Sequence, residues 1–79
     1  MPAFLSITLR NALHEACHFT VVDNIRSKTV LDEDLAEDAS KQVKIAPGVG
    51  GTGDISYTPL NHLTIRKISL QDGDTVDMD

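Results

Sequence analysis

The stretch "NALHEACHFT" (residues 11–20) admits two incompatible readings, and the choice between them decides the fold. On a helix, His14 and His18 lie one turn apart on one face and can share a metal ion. Glu15 then stands where it can act as base on a metal-bound water. In an extended chain the same histidines are about 13 Å apart at about 3.3 Å per residue, too far for one ion. The residues at the end of the stretch favour extension. Cys17, Phe19 and Val21 alternate with His18, Thr20 and Val22, and Phe19-Thr20-Val21-Val22 is a run of aromatic and β-branched residues.

The same period of two recurs along the chain. On the N-terminal side, Leu5, Ile7 and Leu9 alternate with Ser6, Thr8 and Arg10. On the C-terminal side come Val43 and Ile45, Ile55 and Tyr57, Leu63 and Ile65, Ile68 and Leu70, and Val76 and Met78. This is the pattern of half-buried antiparallel strands with one wet face. The phase slips between Ile65 and Ile68, which predicts a bulge near Arg66-Lys67. Turn chemistry separates the runs. Asp23-Asn24 closes the second, "APGVGGTGD" (46–54) forms the longest loop, Pro59 opens a turn, and Asp72-Gly73 is a favoured hairpin pair.

One segment carries a competing signal. In "VLDEDLAEDASKQV" (30–43), Leu31, Leu35, Ala39 and Val43 are spaced four apart, as on an amphipathic helix. The alternative is a strand at 28–32, a polar crossover and a strand from Lys41, which agrees with the rest of the chain. The expected fold is therefore all-β, a small antiparallel β-sandwich of six to seven short strands in a single domain over 1–79. The other reading is α+β with one helix near 32–43.

Size and composition restrict what such a domain does. A chain of 79 residues buries only about 60–65% of its unfolded surface, so its core is thin. One cysteine, Cys17, excludes an intramolecular disulfide, which leaves homo-oligomerisation or metal binding as reinforcement, and a homo-oligomer is expected. Twelve acids against seven bases give a net charge of -5. The bases are scattered along the sequence, which disfavours nucleic acid and anionic membrane surfaces as partners. "MPAFLSITLRN" has no basic leader ahead of an apolar run, and no stretch reaches the roughly 20 apolar residues of a membrane span, so a cytoplasmic protein is expected.

His14, Glu15 and His18 spell H-E-x-x-H, and over residues 11–20 the chain resembles the zincin metallopeptidases. That resemblance implies His14 and His18 as zinc ligands and Glu15 as general base. The neighbouring residues oppose it. Strand-forming runs flank the motif, no third ligand stands at close range downstream, and so small a core leaves little wall for a cleft. The expectation is a hairpin turn around Ala12 to Glu15 joining the first two strands, with His18 on the outer face of the second strand and no metal or cofactor. Cys17 is expected to face inward with Phe19 as a small hydrophobe. "DEDLAED" (32–38) and "LQDGDTVDMD" (70–79) lack the residue order of a calcium loop, and "PGVGGTGD" (47–54) lacks the ending of a phosphate loop.

A non-enzymatic binding module is what remains. Carbohydrate is the expected ligand, held lectin-like by an oligomer through Asp54, Tyr57, Asn61, His62, Asp72 and Asp74. These residues offer hydroxyl-directed hydrogen bonds without a positive patch. A protein-interaction or structural assembly subunit that adds strands to a partner's sheet is the alternative. A small zinc-dependent hydrolase using His14, Glu15 and His18 is the second alternative.

Overall fold

The computed structural model describes residues 4–79, and within them seven strands form two facing sheets. The strands are β1 (Leu5–Asn11), β2 (Cys17–Asp23), β3 (Lys28–Leu35), β4 (Ser40–Ile45), β5 (Gly53–Pro59), β6 (Ile65–Leu70) and β7 (Thr75–Met78). One sheet has the order β4-β1-β7, the other β3-β2-β5-β6. The described residues include no helix long and apolar enough to cross a membrane.

The alternation seen in the sequence becomes the core. Leu5, Ile7 and Leu9 of β1 meet Phe19 and Val21 of β2 and Ile55 and Tyr57 of β5, with Val43, Ile45, Val76 and Met78 closing the layer. Cys17 is half-buried against the same cluster. Gly53 marks a close approach of the sheets, because a side chain there would run into Ile45. Three strands face four, so β6 overhangs, and Arg66 to Ser69 are exposed.

No helix forms in 32–43. β3 continues to Leu35, a turn spans residues 36–39, and β4 begins at Ser40. The spacing of four arises because Leu31 and Leu35 lie on the inner face of one strand, and Val43 on that of the next. Three acids sit inside β3, an unfavourable composition for a strand taken alone. Here Asp32 and Asp34 face His18 across the outer surface, and Glu33 pairs with Lys41.

Other expectations are corrected in detail. β1 and β2 are not a hairpin, since they belong to different sheets and residues 12–16 form an arch between them. Asp72-Gly73 likewise turns the chain from β6 into the opposite sheet, with Gly73 at φ 90°. Alternation specifies which face of a strand is buried but leaves its neighbour open. β7 runs parallel to β1, the one parallel pairing among the described strands. The bulge in β6 falls between Lys67 and Leu70, two residues later than predicted, with Ser69 at φ 60°. Ile68 is consequently 62% exposed, and Leu70 returns to the core.

Two buried polar residues organise the ends of the sandwich. Asn11 Nδ2 lies within 3.1 Å of the carbonyl oxygens of Glu15, Leu35 and Ala36, and its Oδ1 accepts from the Leu13 amide. At the opposite end, Asp23 accepts from the amides of Ile25 and Ala46 and from Arg26 Nε. Burial pushes the Asp23 carboxyl up. These donors outweigh that penalty and leave it below its ordinary value.

Candidate functional site

His14 and Glu15 lie in the arch between β1 and β2, both exposed, and His18 lies on β2. The helix on which the zinc reading depends does not form. His18 is instead held by two carboxylates of the neighbouring strand. Its Nε2 is 2.6 Å from Asp32 Oδ1 and its Nδ1 is 2.7 Å from Asp34 Oδ1. The hydrogen bond to Asp32, then that to Asp34, raises the His18 pKa, and the bond to His18 lowers that of Asp32. With both ring nitrogens facing carboxylates, the imidazolium is the favoured form. Among the described residues no group of three or more His, Cys, Asp or Glu side chains is arranged to hold a metal ion.

The six residues expected to bind ligand do not form one site. Asn61 and His62 occupy the turn between β5 and β6. There they share a cleft of about 320 Å³ with Glu15, His18 and Asp34. Asn61 takes φ 65°, a conformation that asparagine tolerates better than most residues. Asp72 and Asp74 lie in the turn before β7, where they accept from the amides of Ser6 and Gln71. Asp54, on β5, is engaged by Arg66 and Asn24, and Arg66 is the main reason its pKa falls to about 2.

Tyr57 is the clear correction. It is fully buried among the core residues and offers no ring face to a sugar. Its place in the period-two pattern, one step of two from Ile55, already assigned it inward. Its hydroxyl makes no hydrogen bond within the described chain.

A larger concavity, of about 550 Å³, runs along the open side of the sandwich between β3 and β4. Leu31, Val43 and the half-buried Val30 line its floor, Val30 being the extra residue where the β2–β3 register shifts. Arg26, Lys28, Lys41 and Lys44 line its rims, so four of the seven basic residues of an acidic chain converge there. Asp32 and Glu33 are the two acids in the lining. Arg26 stacks over the Phe4 ring at 5.0 Å and pairs with Asp23, and Lys41 pairs with Glu33 at 3.5 Å. Lys28 and Lys44 make no ion pair among the described residues.

Sequence reasoning missed this groove because its cations come from a turn and two strands that lie at the ends of different sheets. Their scatter along the chain is a one-dimensional impression. Only the packing of one sheet on the other, which brings β3 beside β4, gathers them.

Compared with protein-family models, curated proteins and solved structures, the chain matches none.

Proposed function

We propose that this chain is a non-enzymatic binding module that recognises a partner protein along the open side of its sandwich. The groove between β3 and β4 carries that reading. Among the described strands β3 pairs only with β2, and β4 only with β1, so each leaves one edge without a described strand partner. The groove thus combines apolar lining residues, cations and two strand edges in one concavity, with the Lys44 carbonyl on the β4 edge accepting from Arg26. Exposed strand edges invite added strands, and many recognition domains use them so.

Carbohydrate is a second reading, favoured by the end cleft that gathers Asn61, His62, Glu15 and Asp34. No Phe, Tyr or Trp is among the described residues lining that cleft, which removes the usual stacking platform for a sugar. Self-association accords with either ligand, because a second copy adds buried area to a thin core and avidity to a weak site.

Parallel peptide and glycan arrays, with the native mass measured by ultracentrifugation, test the proposal. Peptide binding that is lost in the Lys28→Glu, Lys44→Glu double variant is the expected outcome. Glycan binding lost on Asn61→Ala and His62→Ala would transfer the function to the end cleft. Absence of binding to either array, at any oligomer concentration, would overturn the binding-module reading.

A further inference from the structure

From the chemistry of the groove, and resting on the binding-module reading, we infer that its occupant is an extended peptide in which acidic and apolar residues alternate. It lies as an added strand between β3 and β4. Charge is the first argument. Four cations and two carboxylates line the groove, a net positive strip on a molecule of net charge -5. Lys28 and Lys44 have no intramolecular acid to answer them among the described residues. An acidic segment is steered to this face and repelled by most of the others.

The second argument is the backbone. The groove lies between two strand edges, neither of which has a ladder partner on that side among the described residues. A peptide satisfies such edges with its own amides and carbonyls, and a polysaccharide or a nucleic acid has no ladder to offer. Lysines on edge strands also discourage pairing between copies. In a chain this acidic, the same charges select the strand they admit. The third argument is period. Side chains of an added strand alternate between the two faces. One set meets Val30 and the floor between the sheets, while the other reaches the lysine ammonium groups, so acidic and apolar residues must alternate.

The test uses the full chain and a labelled, end-blocked octapeptide of alternating glutamate and valine, read by fluorescence anisotropy and amide hydrogen exchange. Binding should slow exchange in β3 and β4, and should weaken about tenfold in the Lys28→Glu, Lys44→Glu double variant and in raised salt. Both lysines are exposed, and an unchanged melting temperature establishes that the variant is folded. A peptide with N-methyl groups on alternate residues should fail to bind. Equal binding of a glutamine–valine peptide would overturn the acidic specificity and leave the binding module standing. Equal binding of the N-methylated peptide, of a sulfated oligosaccharide or of oligo-dT would overturn the added strand. If no peptide, glycan or nucleic acid binds at all, the inference and the binding-module reading both fall.

Discussion

The side-chain amide of Asn11 donates to the Leu35 carbonyl at 3.0 Å, joining a strand of one sheet to a strand of the other. The same amide serves Glu15 and Ala36, so one residue holds both the arch after β1 and the turn after β3. Asn11→Ala removes the donor shared by three carbonyls, with the bond to Leu35 buried and those to Glu15 and Ala36 part-buried. It is expected to cost about 2–4 kcal/mol, read as a fall in the urea midpoint at unchanged slope. A loss below about 0.5 kcal/mol would mean that water replaces the amide and that the arches do not depend on it.

The bonds from His18 to Asp32 and Asp34 make stability depend on pH in a defined direction. The folded-state pKa of His18 is raised above its ordinary 6.5, so the folded chain holds this proton more tightly than the unfolded chain. The stabilisation is complete below about 6.5 and is lost as pH rises through the raised value. Thermal melts across that range should show a decline in wild type that His18→Gln abolishes. An imidazole titration at or below 6.5, monitored by NMR, would contradict the bridge.

How far the sequence carried the fold is visible in β3. Period two correctly separated inner from outer residues in β1, β2, β5 and β7, because burial acts on each strand alone. It stopped short in "DEDL" (32–35), where strand structure depends on a histidine fourteen and sixteen residues earlier and a lysine on the next strand. The site was less legible still. Asp54, Asp72 and Asp74 have the chemistry of ligand contacts, but the chain itself occupies them with Arg66, Ser6 and Gln71. Whether a polar side chain is free for a ligand depends on tertiary partners, which no local pattern records.

Asp23 gives the opposite pH response from His18. Its carboxylate is buried and is held by two amides and Arg26, which keep its pKa below the ordinary 3.8. Its contribution is present above that ordinary value and is lost as pH falls through the lowered one. Asp23→Ala should cost about 3 kcal/mol at neutral pH by leaving Arg26 and the amides unanswered. The wild-type advantage should shrink in acid, measured by urea titrations at neutral pH and near pH 2–3. An advantage that persists unchanged at the acid end would assign Asp23 a packing role only.

Zinc addresses the H-E-x-x-H stretch directly. A shared site requires His14 and His18 one helical turn apart, and here one lies in an arch while the other lies on a strand between two carboxylates. Binding zinc at His18 would first have to displace Asp32 or Asp34, forfeiting the bonds that hold the ring. Calorimetric titration with zinc is therefore expected to show no stoichiometric site that depends on both histidines. His14→Ala and Glu15→Gln, at exposed positions, should each change stability by no more than about 0.5 kcal/mol. One equivalent of zinc lost in both His14→Ala and His18→Ala would mean that residues 11–18 rearrange around the metal, and the helical reading of the stretch would return.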